Sequence, residues 1–304
     1  MSATESPISP ARDALVQAAA EIRGKSLWQG AWERFLQNRS AVFGLFLLGA
    51  ITLFALLAPL LSPHDMEETY WERIQIAPTL EDSHWFGTDS NGRDLLVRVA
   101  AGGQISLAIG LVTALTSLII GILYGATAGY VGGRLDQWMM RFVDILYALP
   151  LIFFIIILVT VFGRNIILVF LAIGCVEWLT IARIVRGQTL AVKEMEYIES
   201  ARALGVPFFR IVSRHVLPNV IGPVIVFSTL LIPTVILVES FLSFLGLGVQ
   251  EPGTSWGLLI SQGTATLDGA PWLLLIPAAF LAATMFAFNF IGDGLRDALD
   301  PKSK

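Results

Sequence analysis

The chain is poor in the residues that carry chemistry. Of its 304 residues one is cysteine, Cys175, and three are histidine, His64, His84 and His215. A lone cysteine excludes an intrachain disulfide and a cysteine-based metal cluster. The histidines fall on both sides of a bilayer once the apolar runs are read as spans, so no metal site is expected within one chain. No nucleophile stands beside a base. A phosphate-cradling loop of the Gly-x-x-x-x-Gly-Lys-Ser/Thr kind is missing too. Gly24-Lys25-Ser26 is a fragment of one, but position 19 is alanine and no strand precedes it. Charged residues make up 14% of the chain, against about 25% in soluble domains. The basic ones lie beside apolar runs, which speaks for topology and against a nucleic-acid partner.

What fills the sequence is hydrocarbon. Hydrophobic residues make up 55%, and the mean hydropathy is +0.71. A helix needs roughly 20 apolar residues to cross about 30 Å of bilayer core. Six runs meet that need: Ala41–Leu61, Ser106–Gly129, Met139–Phe162, Ile166–Ile184, Val220–Leu245 and Trp272–Ile291. The expected class is an all-α integral membrane protein with six transmembrane helices and both termini on one side. The first run is too long for a signal-peptide core and shows no cleavage site, so it is read as retained.

Charge sets the orientation. With the N-terminus inside, only Arg73, Arg93, Arg98 and Arg164 remain outside among the 20 basic residues. Cytoplasmic loops are enriched in Lys and Arg, which selects the N-in, C-in arrangement. The expected division is a tail with an interfacial helix over 1–40, a six-helix domain over 41–292 and a cytoplasmic tail over 293–304. Within the domain, an outer loop covers 62–103 and a cytoplasmic loop covers 184–218.

Residues 1–24 are expected to be loosely ordered. Leu27, Trp28, Ala31, Trp32, Phe35 and Leu36 then share one helix face, as in a helix lying at headgroup depth. The plainer alternative is a frayed start of the first span. Ser117, Gly121, Gly125 and Gly129 recur every fourth residue and form a smooth stripe for close helix approach. General membrane packing explains the stripe, and a moving partner helix is the sharper alternative. Pro150, Pro233 and Pro277 each remove a backbone hydrogen bond within a span and can bend it.

The 184–218 loop is the most structured feature. Tyr197, Ile198, Ala201 and Leu204 recur at helical spacing, while Glu196, Glu199, Ser200 and Arg202 face elsewhere. Glu194, Glu196 and Glu199 lie near the helix N-terminus, where negative charge suits the macrodipole. Gly205 stands where a helix C-cap needs a left-handed backbone. Pro207 is expected in the first turn of a second helix, whose apolar face is Phe208, Ile211, Val212 and His215. Two acids lie inside spans, where a charge is costly and suggests a functional role. Glu239 is a candidate gating residue that could pair with Arg93 or Arg98, or else a structural hydrogen-bond acceptor. Glu177 is expected at a subunit interface or a watery cavity.

Glu199-Ser200-Ala201, then Gly205, then Leu217-Pro218 resembles the EAA loop of type I importer permeases of the ABC superfamily. It departs from that pattern at Ser200 and at His215. Phe86–Arg98, Glu239–Gly248, Ser255-Trp256-Gly257 and Phe288–Pro301 are similar to segments of the C-type permeases of peptide importers, nearer the oligopeptide branch than the dipeptide one. The similarity runs from about Gly24 to the C-terminus. It implies the type I permease fold and a place in the bacterial inner membrane. Glu196, Glu199, Ser200, Ala201, Arg202, Gly205 and Pro207 would couple to an ATPase through a docking helix. The implied partners are a second homologous permease of B type, two ATP-binding subunits, an extracytoplasmic peptide-binding protein and the lipid bilayer. ATP and Mg would sit on the ATP-binding subunits, leaving this chain a transport subunit without cofactor or metal. Dipeptide, opine or nickel cargo stays open. The alternatives from other classes are a secondary transporter, which needs no such loop, and a membrane-embedded enzyme, which needs a reactive cluster.

Overall fold

A computed structural model describes residues 27–163 and 166–299. The expected loose tail over 1–24, the Gly24-Lys25-Ser26 fragment, Arg164 and the residues from Asp300 onward lie outside the described residues. The described chain is helical. In hydrocarbon every backbone N–H and C=O must be satisfied within its own segment, which an α-helix does.

Helix α1, Leu27–Gln37, is separate from α2, Arg39–Leu61. Asn38 makes the break. Its side chain accepts from Ser40 N at 3.1 Å and Ala41 N at 3.2 Å, satisfying two donors at the start of α2. Ala31 and Phe35 of α1 are buried with Ile291 and Ala298. Arg34 donates to the Ala298 carbonyl through Nε at 2.9 Å and Nη2 at 2.6 Å. Trp28 and Trp32 stay more than half exposed. The distinct helix with tryptophans facing outward is therefore present.

Helix α3, Leu95–Val131, begins eleven residues before the expected second span at Ser106. Asp94 caps it, accepting from Val97 N at 2.9 Å. It packs most extensively against α6, Ile166–Lys193. The small-residue stripe is that contact. A Cβ on Gly121 would stand 2.6 Å from the Ile181 side chain, and one on Gly129 would stand 2.9 Å from the Arg186 carbonyl. A Cβ on Gly125 would collide with the Ala182 carbonyl. The stripe thus serves packing within the chain, the plainer of its two readings.

The third expected span, Met139–Phe162, is not one helix. It is divided into α4, Gly133–Tyr147, and α5, Leu151–Phe162, bent by 77°. Pro150 caps α5 with extended backbone at ψ 113°. The proline lacks an N–H, and it pushes the residue before it out of helical geometry. Pro233 and Pro277, by contrast, lie inside helices that continue through them.

After α6 come α7, Glu196–Ala203, and α8, Phe208–Ile211. A wider turn over Val212–Val216 leads into α9, Leu217–Phe244. There Leu217 N donates to Val212 O, five residues back. Then follow α10, Trp256–Thr264, and α11, Trp272–Leu299, which runs past the expected end at Ile291. Among the described residues four helical runs are long and apolar enough to cross a membrane: α2, α3, Phe208–Phe244 and α11. The bent α4–α5 pair makes five if it is one broken span. The expected fourth span lies within α6.

Candidate coupling loop and outer ion-pair network

The candidate coupling loop is shorter than the expected 184–218, because α6 stays helical to Lys193. Its turn is closed by two reverse hydrogen bonds. Gly205 N donates to Arg202 O at 2.9 Å, and Val206 N donates to Ala201 O at 3.1 Å. This is the Schellman pattern, with Gly205 at φ +74° in the left-handed region. Pro207 lies one place earlier than expected, capping α8 with extended backbone instead of entering its first turn. Its carbonyl accepts from Arg210 N at 2.9 Å.

Two of the four expected apolar residues of α7 face inward. Ile198 and Ala201 are buried in a cluster with Ile211, Val216, Val220 and Val185. Tyr197 is 41% exposed and Leu204 83% exposed. On the second helix Ile211 is buried, while Phe209 is 82% exposed. The periodicity placed Tyr197 and Leu204 on one face with Ile198 and Ala201, but the structure leaves those two largely outside the cluster. Glu196, Glu199 and Ser200 are exposed beside them.

Tyr130, at the end of α3, was not singled out by sequence, since it follows the glycine stripe without a motif of its own. Arg202 Nε donates to its hydroxyl at 3.2 Å, and the guanidinium lies 4.7 Å over its ring. Phe208 meets the same ring edge-on at 5.0 Å. The loop is thus clamped to α3. At its other end the Asn219 side-chain amide donates to the Tyr197 hydroxyl at 3.1 Å.

At the opposite end of α3 the expected pairing of Glu239 with Arg93 or Arg98 does not occur. Arg93 Nε donates to Asp89 at 2.9 Å and Nη2 to Glu251 at 3.0 Å. Arg98 bonds Asp89 and reaches Gln262 at 3.4 Å. Gln262 closes the network on Glu251 at 2.6 Å. Burial opposes the Arg93 charge, but Glu251 and Asp89 outweigh it and hold its pKa above the ordinary value. The same hydrogen bond from Arg93 holds the Glu251 carboxyl below the usual carboxylate range.

Glu239 is fully buried among hydroxyls. Ser243 donates to it at 2.7 Å, Ser106 at 3.3 Å and Ser240 at 3.4 Å. These serines belong to α9 and α3, and Trp256 N donates to Ser106 Oγ at 3.3 Å. The carboxylate therefore joins α9, α3 and α10, and no basic side chain pairs with it among the described residues. Glu177 is half-buried in α6 and makes no hydrogen bond or ion pair among the described residues.

His64 and His84 are not scattered. Their rings stack at 4.2 Å, and with Asp94 they form a group whose ligand atoms lie within 4.8 Å of one another. The fold of the loop between α2 and α3 brings them together, which apolar runs alone could not show. His84 Nδ1 lies 2.9 Å from Asp94 and His64 Nδ1 lies 2.8 Å from the Tyr70 hydroxyl. Desolvation, then the neighbouring Glu68, pushes the Tyr70 pKa up to about 12. Each imidazole is thus already engaged, and parallel stacked rings do not aim two lone pairs at one ion.

Residues 117–304 match the family described as binding-protein-dependent transport system inner membrane component, more than half of the chain. The chain belongs to that family. Residues 26–78 of this permease also match the N-terminal transmembrane domain of oligopeptide transport permease C. The permease is 56% identical to the oligopeptide transport system permease protein OppC of Escherichia coli K12, over 93% of its own length and 94% of that relative's. It is 54% identical to the OppC protein of Haemophilus influenzae, over 93% and 91%. It is 44% identical to the dipeptide transport system permease protein DppC of Bacillus subtilis, over 91% and 86%. In fold the permease resembles the inward-facing MetNI methionine ABC transporter, at TM-score 0.53 and 18% identity, over 68% of this chain and 98% of that one. It is a multi-pass inner-membrane protein with the helical fold of type I ABC permeases.

Proposed function

We propose that this permease is the transmembrane subunit of an ATP-driven importer that carries oligopeptides inward by alternating access. The observation that carries this reading is the coupling loop. Its inner face is packed on Ile198, Ala201 and Ile211, its turn is fixed by the Gly205 cap, and Leu204 and Phe209 project from it almost unburied. A rigid helix–turn–helix presenting large apolar side chains beside Glu196, Glu199 and Ser200 suits a docking groove on an ATPase. Arg202, clamped on Tyr130, carries the movement of that groove to α3.

Six spans cross the bilayer in this reading: α2, α3, the broken α4–α5 pair, α6, the run through α8 and α9, and α11. Both termini are cytoplasmic. A second, B-type permease supplies the other half of the pathway, two ATP-binding subunits hold ATP and Mg, and an extracytoplasmic binding protein delivers cargo. Rocking of the two bundles switches exposure of the pathway. Arg93, with Asp89, Arg98 and Glu251, fastens the outer loops where the pathway opens. Glu239 braces three helices, and unpartnered Glu177 faces the water-lined seam between the two permeases.

The test is to purify the tagged chain in mild detergent, identify what co-elutes and reconstitute it. A second permease and two ATPases in stoichiometric yield, with ATP-dependent peptide uptake, support the reading. A chain that elutes alone and takes up solute on an ion gradient is a secondary transporter. An assembled complex that moves only dipeptides, opines or nickel overturns the cargo assignment alone.

A further inference from the structure

Helix α4 has an apolar face that no part of the described chain covers. Leu135, Trp138, Phe142 and Ile145 recur at helical spacing and are 45%, 75%, 50% and 58% exposed. The 77° bend at Pro150 sets α4 nearly at right angles to α5. In the broken span read above, Gly133–Tyr147 is the half that begins at the cytoplasmic side, so Arg134, Trp138 and Arg141 stand near headgroup depth. An exposed tryptophan beside basic side chains suits that depth.

Two arginines flank that face. Arg134 and Arg141 are seven residues apart, two helical turns, and so stand on one side of α4. With Trp138, Asp144 and Arg186 they line an open cavity of about 560 Å³. The other charges there are already matched. Arg186 grips Asp136 through Nε at 2.5 Å and Nη2 at 2.6 Å, and Arg183 holds Asp144 at 2.9 Å. Neither Arg134 nor Arg141 has a partner among the described residues. The cavity therefore keeps two uncompensated positive charges beside an apolar face and an exposed tryptophan.

We propose that this cavity binds the phosphate headgroup of an anionic phospholipid of the cytoplasmic leaflet. The two guanidiniums take the phosphate oxygens, and the acyl chains lie along Trp138, Phe142 and Ile145. Guanidinium groups match phosphate geometry through paired donors. Basic pockets on the cytoplasmic side of membrane helices suit such headgroups. The occupant is a lipid and not a soluble anion because the apolar face continues from the charged mouth. The proposal rests on the N-in orientation argued above, which places this end of α4 inside.

The experiment uses the intact complex in nanodiscs, with native mass spectrometry of retained lipid. Phosphatidylglycerol is expected to be retained over phosphatidylcholine. The R134Q/R141Q double variant should bind it about thirtyfold more weakly, which corresponds to about 2 kcal/mol for two charges near the surface. R134K/R141K should keep most of the binding. An unchanged melting temperature of R134Q/R141Q in zwitterionic nanodiscs confirms that the loss is one of lipid binding. Equal retention of the two lipids, or undiminished binding in R134Q/R141Q, overturns the site. Displacement of the lipid by millimolar inorganic phosphate overturns the lipid as its occupant. Orientation is read separately, from labelling of Arg141→Cys in a Cys175→Ser background with a membrane-impermeant maleimide. Labelling from inside while the lipid tests fail overturns the site alone, and labelling from outside overturns the orientation.

Discussion

Arg93 Nη2 donates to Glu251 Oε1 at 3.0 Å, joining two loops through residues 158 apart in sequence. One loop leads into α3 and the other leads into α10, so this bond, with those of Asp89, Arg98 and Gln262, ties the starts of the two helices together. Glu251 is depressed in pKa chiefly by that bond, against partial burial. A carboxylate so shifted stabilises the fold fully above its unfolded value, near 4.3, and loses that contribution as pH falls through the lower folded value. Melting temperature should therefore fall on acidification below about 4, and Glu251→Gln should flatten the slope. At neutral pH the variant should lose no more than about 1 kcal/mol, because the Glu251 side chain is 43% exposed. Matching acid slopes for the two proteins would remove Glu251 from the account.

Gly205 closes the turn between α7 and α8. At φ +74° a β-branched side chain is strained, by about 1–3 kcal/mol. Gly205→Val should insert into the membrane normally yet abolish ATP-coupled uptake, while Gly205→Asn, which tolerates this backbone, should retain part of it. Open space surrounds a Cβ at this position, so the loss would come from the backbone and not from a clash. Normal uptake by the valine variant would show that the turn does not transmit motion.

Leu204 and Phe209 project from the same turn. Leu204→Asp or Phe209→Asp should leave the stability of the isolated chain within about 0.5 kcal/mol of the parent, as exposed substitutions do. Co-purification of the ATP-binding subunits should fall at least tenfold. Retention of stoichiometric ATPase by both variants would move the docking surface elsewhere.

The loop's local structure was legible because caps are local. Gly205 and Pro207 announce a stop and a restart within a few residues, and both occur within one position of the expected place. Which face would find a partner was not legible. Helical spacing groups Ile198 with Leu204, but only the path of α3 and α9 decides that one is buried and the other bare. The same limit explains the outer side. Arg93 with Glu251, and His64 with His84, meet through loop folding that apolar runs do not encode. Pro150 signalled a bend, but the 77° angle arises from the whole Ala148–Pro150 break.

The α3–α6 contact yields a packing prediction. Gly125 lies against the Ala182 carbonyl with no room for a side chain. Gly125→Leu should force the helices apart and destabilise the chain by at least about 1–3 kcal/mol, read as loss of folded protein after detergent extraction. Gly49→Ala, where a Cβ meets open space on an ordinary helical backbone, should leave the yield unchanged. Equal yields of Gly125→Leu and parent would mean that α3 and α6 do not pack this closely in the membrane.

Glu239 separates a structural role from an electrostatic one. Its neighbours are hydroxyls, and its oxygens tie Ser243 and Ser240 of α9 to Ser106 of α3. Gln keeps the shape and one acceptor oxygen but removes the charge, whereas Ala removes both and leaves buried hydroxyls without a partner. A buried group left unsatisfied costs about 1–3 kcal/mol. If Glu239 is a brace, Glu239→Gln should keep most of its transport and melt near the parent, while Glu239→Ala should lose stability first and transport with it. The Ser106→Ala change should then cost less in the Glu239→Ala background than in the parent, since the two share one hydrogen bond and only the Trp256 N acceptor is still lost. A Gln variant that folds like the parent but fails to transport would reverse the assignment and make the charge itself part of the pathway.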